Sequence, residues 1–199
     1  MTITLAGCSA LFGDEIEKRA SPARVDDETL ADTGFEHVRT EESSLEQTIE
    51  VGGEERNINL TNWISEYAKL PTGDDQNAAS FYVFTTPTIS VAGRSANPFD
   101  RMSEKRFIDA VLARTGRGET DDLEEKETHD VTTLGETIEV TEYETIQDVA
   151  GHEVRVRLYF GNLTNDGDLL ALLGAHPELL DERDGILSLA AGVDHPTDP

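Results

Sequence analysis

Lysine is nearly missing from this sequence. Only Lys18, Lys69, Lys105 and Lys126 occur in 199 residues. No basic cluster exists to neutralise a run of phosphates, which argues against direct binding to DNA or RNA. The single cysteine, Cys8, excludes an intrachain disulfide. No stretch approaches the ~20 consecutive apolar residues that span a bilayer as a helix, so a membrane connection would have to be a covalent anchor. The chemical motifs are missing too. No H-E-x-x-H is present, and none of His37, His129, His152, His176 and His195 is paired with another His or a Cys at metal-ligand spacing. There is no G-x-S-x-G elbow, Walker loop or dinucleotide fingerprint. The sequence therefore nominates no catalytic residue, no metal ligand and no cofactor. The five histidines read as structural, with His176 and His195 each preceding a proline at the end of an element.

Acid is abundant: 41 Asp and Glu against 16 Lys and Arg, a formal net charge of −25. Twelve of the 16 basic residues are Arg, whose weakly hydrated planar fork pairs with carboxylates. Such a charge destabilises a compact fold by self-repulsion at low salt. The Debye length falls from about 8 Å at physiological ionic strength to about 3 Å at 1 M, so in brine neighbouring carboxylates hardly repel. The acids are scattered rather than gathered into a tail, and apolar alternation runs through long stretches. Both features argue against a disordered acidic chain or a nucleic-acid mimic. The composition predicts a surface adapted to molar salt. It also hides any functional carboxylate pair among dozens of solvating ones.

Leu5-Ala6-Gly7-Cys8 resembles the lipobox of secreted lipoproteins. That resemblance implies lipidation of Cys8, a membrane partner reached through the lipid, and a place on the extracellular face of the cell membrane. Seven uncharged residues precede Cys8, short of a charged n-region plus an apolar stretch of about 7–15 residues. Residues 1–8 therefore read as the remnant of a signal peptide, 9–20 as a tether and 21–196 as a single domain. One lipid chain alone gives marginal anchoring. A cytoplasmic protein with a small buried Cys8 is the alternative. Two Asn-Leu-Thr sequons mark Asn59 and Asn162 as candidate N-glycosylation sites on an exported chain.

Along the chain, Ser21-Pro22 predicts a helix start, with Val25, Leu30 and Ala31 on its apolar side and Gly34 as its stop. Strands are expected from Phe35 to Val51 and from Arg56 to Leu70, turned at Gly52-Gly53, and again from Ala79 to Ala92. Phe107, Ile108, Val111 and Leu112 form a helical stripe between Glu104 and Thr115. Strands follow around Val131, Ile138–Val140 and Val154–Phe160. Asn165-Asp166-Gly167-Asp168 reads as a turn in preference to a Ca²⁺ loop. The continuous apolar run Leu169–Ala175 suits a central strand. Arg155 and Arg157 share a face with Tyr159 and are expected to pair with carboxylates on neighbouring strands. A closing helix is expected over Leu180–Val193. This order predicts an α+β fold, a twisted antiparallel sheet of about six to seven strands with helices packed on it.

Ser21-Pro22-Ala23, Thr33-Gly34-Phe35, Phe81-Tyr82-Val83-Phe84-Thr85-Thr86-Pro87 and Gly93-Arg94-Ser95-Ala96-Asn97-Pro98 together resemble an uncharacterised haloarchaeal family of lipoprotein-like proteins. The resemblance spans most of residues 20–196. It implies a salt-adapted surface protein and carries over no catalytic residue. The element order is similar to the Mog1/PsbP-like fold, an analogy that says little about function. The Gly-led loop offers Arg94 and Ser95 as a candidate anion site. The expectation for function is a non-enzymatic binding or accessory domain at the cell surface. An envelope enzyme with its site near residues 93–98 stays open, as does a cytosolic acidic domain.

Overall fold

The computed structural model describes residues 15–51, 54–69, 79–91, 93–114, 123–149 and 152–198. The strands are β1 (Glu15–Arg19), β2 (Arg24–Val25), β3 (Glu36–Val51), β4 (Glu54–Lys69), β5 (Ala79–Pro87), β6 (Ser90–Val91), β7 (Arg94–Ser95), β8 (Glu124–Thr133), β9 (Glu136–Val149), β10 (His152–Asn165), β11 (Asp168–Pro177) and β12 (Val193–Asp194). The helices are α1 (Asp27–Thr33), α2 (Glu104–Arg114) and α3 (Arg183–Ala191), with a 3-10 turn at Pro98–Arg101. The turn expected at Gly52-Gly53 falls outside the described residues, as do a loop expected over Pro71–Asn77, a helix stop expected at Gly116 and Gly118 and a turn expected at Gly151.

The expected α+β class is corrected here. Among the described residues strand makes up 63% and helix 18%, and the sheet is mixed and eight-stranded. Seven strands run antiparallel in the order β3, β4, β5, β11, β10, β9, β8, while β1 joins parallel to β4. Strand β4 is long enough to hold two partners on one edge: β1 along Asn57–Thr61 and β5 along Trp63–Lys69. Its other edge carries β3 from end to end. Residues 15–19 thus form a strand, although they read as part of a tether. Glu-Ile-Glu-Lys-Arg has no apolar alternation of its own, and pairing with distant residues makes it a strand. The same holds for β2, where Val25 meets Val193 across the whole chain length.

The strands from β5 to β9 bury both faces. On one face Phe81, Val83, Leu170, Leu172 and Tyr159 meet Ile186, Leu189 and Ala190 of α3. On the other, Phe84, Phe160 and Leu173 meet the predicted α2 stripe of Phe107, Ile108, Val111 and Leu112. Full burial of such side chains contributes about 1.5–3 kcal/mol each. Strand β11 is central, as its apolar run suggests, and its turn from β10 has positive φ at Asp166 (48°) and Gly167 (86°). Gly174 lets α3 approach. A Cβ there would overlap the Ile186 side chain.

Helix α1 starts later than expected. Its cap is Asp26, whose Oδ1 accepts from Thr29 N at 2.9 Å, and Gly34 ends it. Ser21-Pro22 instead belongs to an irregular segment laid across the sheet. Its backbone groups are caught one by one: Trp63 Nε1 donates to Ala20 O (3.0 Å), Thr85 Oγ1 to Ser21 O (2.7 Å) and Ser65 Oγ to Ala23 O (2.7 Å), while Val25 N donates to the Tyr67 hydroxyl (2.9 Å). Buried backbone outside regular structure must find such partners. That requirement explains why Ser65 and Thr85 sit in the interior. The closing helix is also shorter than expected, Arg183–Ala191.

Candidate functional site

The face covered by α2 holds a cavity of about 300 Å³ at the end of β10 and β11. Phe107, Phe160 and Ala171 form its buried floor. Half-buried Phe99, Met102 and Leu169 form the walls. The rim is polar: Glu104, Asn162 and Thr164. Three rings pack in series, Phe99 to Phe107 at 5.8 Å and Phe107 to Phe160 at 5.5 Å, within the range for favourable aromatic pairs. Phe99 reaches this position through Asn97, which is buried. Its Nδ2 donates to Thr86 Oγ1 and Pro87 O (both 2.8 Å), and its Oδ1 accepts from Phe99 N at 2.9 Å. Glu104 opens α2 and accepts a hydrogen bond from the Tyr143 hydroxyl. Burial first, then that bond and the Glu104 charge, push the phenol well above its usual range, so Tyr143 stays neutral.

A second cluster lies under α3. Glu142 of β9 is 1% exposed and meets Arg157 Nη1 (3.2 Å), Arg183 Nη2 (3.1 Å) and His129 Nε2 (3.3 Å). Arg157 also reaches Glu144 (2.9 Å) and Glu178 (2.7 Å). The pairing of Arg157 with strand carboxylates follows the sequence expectation, and Arg155 likewise meets Glu178 at 3.5 Å. Tyr159 stacks on His176, ring centroids 5.6 Å apart, and burial pushes its hydroxyl up to about 12. Glu127, His129 and Glu142 place one ligand atom each within 4.8 Å of one another. Two guanidiniums already neutralise Glu142, and a dication there would face both of them. The cluster's work is to fasten α3, through Arg183 at its first residue, onto the sheet. His195 plays a comparable part near the chain end, with Nε2 3.2 Å from Asp168 Oδ2 and Nδ1 3.0 Å from Asn165 Oδ1.

A hydroxyl–histidine contact also exists on β3, where His37 Nε2 lies 2.9 Å from Thr40 Oγ1. Burial and nearby Arg24 hold the His37 pKa below its usual value. Thr40 passes the contact to Ser65 (3.0 Å), whose hydroxyl is committed to the Ala23 carbonyl. The chain of bonds anchors the 20–25 segment.

The sequence candidates fall on separate elements. Cys8 and the Arg94 side chain lie outside the described residues. The Arg94–Ser95 backbone forms β7 against β6, with Ser95 half-buried. Asn59 sits on β4 with its Oδ1 buried. Asn162 is exposed on β10 at the rim of the α2 cavity. Sequence reasoning assigned no role to Phe99, Glu104, Phe160 or Asn97. The α2 stripe pointed to Phe107, but only the meeting of α2 with β10 and β11 makes a cavity.

A mostly β domain, covered by helices on both faces and hollow beneath one of them, is thus the class that fold and site define. The chain belongs to a family of domains of unknown function, DUF6517, whose model matches residues 22–194. None of the curated proteins matches it. Among solved structures, a protein of unknown function from Pseudomonas aeruginosa is similar at 13% identity, covering 67% of this chain and 84% of that one, with a TM-score of 0.31. Likeness at that level carries no argument.

Proposed function

We propose that this chain is a non-enzymatic ligand-binding or accessory domain of a haloarchaeal cell envelope, held at the outer face of the membrane by a lipid on Cys8. The observation that carries the binding role is the α2 cavity, with its aromatic floor and few convergent polar groups, the usual make-up of a small-molecule site. The net charge of −25 supports the salt setting, and the Leu5–Cys8 sequence supports the anchor. Residues 21–196 make up the folded unit in this reading, and β1, from the segment read as a tether (9–20), extends its sheet. Strand β11 leading into α3 over the sheet supports the Mog1/PsbP-like analogy. Of the two sequons, exposed Asn162 is the better acceptor, and a glycan there would stand at the mouth of the cavity. Membrane fractionation tests the address: Cys8→Ser should release the protein into the soluble fraction, and a wild type already fully soluble would sink the anchor. Fragment screening by NMR in 2 M KCl tests the binding role. Shifts should concentrate on Phe107, Phe160 and Ala171, and a screen without hits there would remove it.

A further inference from the structure

We infer that the α2 cavity takes an organic ammonium ion with a small apolar body. The inference rests on reading that cavity as the binding site. Among the described residues, Glu104 is the only charged one lining it. Its neighbours within the cavity are rings and aliphatic side chains, and the other polar groups are the Asn162 amide and the Thr164 hydroxyl.

Charge sign decides between ligand classes. An anion entering the cavity would lie beside the Glu104 carboxylate, with no cation among the described lining residues to offset it. A neutral apolar ligand would gain the rings of the floor and nothing from the carboxylate, which stands exposed at the rim. A bare metal ion would find one carboxylate and an apolar floor in place of the six or more oxygens that hard cations take. An alkylated ammonium avoids each of these shortfalls. It brings a positive charge to Glu104, and its methyl or methylene groups lie against Phe99, Phe107 and Phe160, whose π-systems attract a cation. The Tyr143 hydroxyl donates to Glu104 Oε2, which holds the carboxylate in place at the rim. A cavity of about 300 Å³ sits at the small end of ligand sites, which limits the body of the ion.

Two soluble probes of nearly the same shape isolate the charge: choline and its neutral carbon isostere 3,3-dimethylbutan-1-ol. Each is titrated calorimetrically into the full chain at constant KCl. Choline should bind at least about tenfold more tightly, the carboxylate and the aromatic rings together favouring the cation. Glu104→Gln should bring the two dissociation constants within about threefold, whereas Glu41→Gln, which removes a carboxylate on β3 outside the cavity lining, should preserve the discrimination. Equal affinity of the wild type for both probes overturns the ammonium inference and leaves an apolar binding cavity standing. Undiminished discrimination in Glu104→Gln overturns it equally. Failure of the wild type to bind either probe overturns both the inference and the binding role. The wild-type comparison stands alone should Glu104→Gln not fold.

Discussion

Replacing Glu142 by Ala removes the carboxylate on which three elements converge. Its side chain is 1% exposed, against 21% for Arg157, 45% for Arg183 and 17% for His129. Deleting one partner of a fully buried ion pair costs about 3–5 kcal/mol, because the other charge is left buried and unpaired. Arg157 is not orphaned here, since Glu144 and Glu178 remain at 2.9 and 2.7 Å. Arg183 can turn into water. The expected cost is therefore lower, about 2–3 kcal/mol. At about 2–4 °C per kcal/mol for a chain of this size, Tm should fall by about 4–12 °C. Molar salt should hardly soften the loss, because buried pairs escape most screening. Arg39–Glu41 is the comparison: its 3.2 Å separation resembles that of Arg157–Glu142, but its side chains are 47% and 54% exposed. Glu41→Ala should cost no more than about 0.5 kcal/mol, and less in brine. Circular dichroism melts of wild type, Glu142→Ala, Glu142→Gln and Glu41→Ala in 1 M and 3 M KCl make the measurement. Glu142→Gln should fall between the wild type and Glu142→Ala. A Glu142→Ala loss no larger than that of Glu41→Ala would refute the reasoning that this cluster fastens α3.

Gly174→Ala drives a methyl into Ile186 and should cost about 1–3 kcal/mol of overpacking, read as a lower urea midpoint with unchanged slope. Thr85→Val keeps the shape but strands the Ser21 carbonyl. About 1–3 kcal/mol should be lost, and a neutral result would remove the hydroxyl's assigned role. The Thr29 N–H, and then the Thr29 hydroxyl, hold Asp26 below its ordinary value of 3.8. A carboxylate depressed in the folded state adds stability above its unfolded pKa and loses it as pH falls through the folded one. Asp26→Ala should therefore cost about 1 kcal/mol at neutral pH, and the difference should close on acidification to about pH 2. A gap that widened in acid would contradict the cap. Lowering KCl from about 2 M to about 0.05 M should destabilise the wild type, since the Debye length rises well past the spacing of its carboxylates. A melt that is unchanged in dilute buffer would count against the salt argument.

The sequence by itself determined the elements whose pattern is local. The α2 stripe, the central run of β11, the Asn165–Asp168 turn and the Gly34 stop each rest on contacts within a few residues, and each lies where the residues put it. The surface chemistry was equally legible, because net charge is a sum and needs no coordinates. Tertiary structure alone decided what depends on partners far along the chain. Glu15–Arg19 is a strand because β4 has free edge beside Asn57–Thr61, and Ser21-Pro22 is irregular rather than helical because Trp63, Ser65, Tyr67 and Thr85 satisfy the backbone around it. Pairing with neighbours likewise carries β8 and β9 well beyond Val131 and Ile138–Val140, and the resulting strand content makes an expected α+β domain a mostly β one. The cavity belongs to the same category. Phe99, Glu104, Phe107, Phe160 and Asn162 come from three elements up to 63 positions apart, and no periodicity links them. One carboxylate among 41 became visible as a site residue only when the fold set it beside a hollow lined with rings.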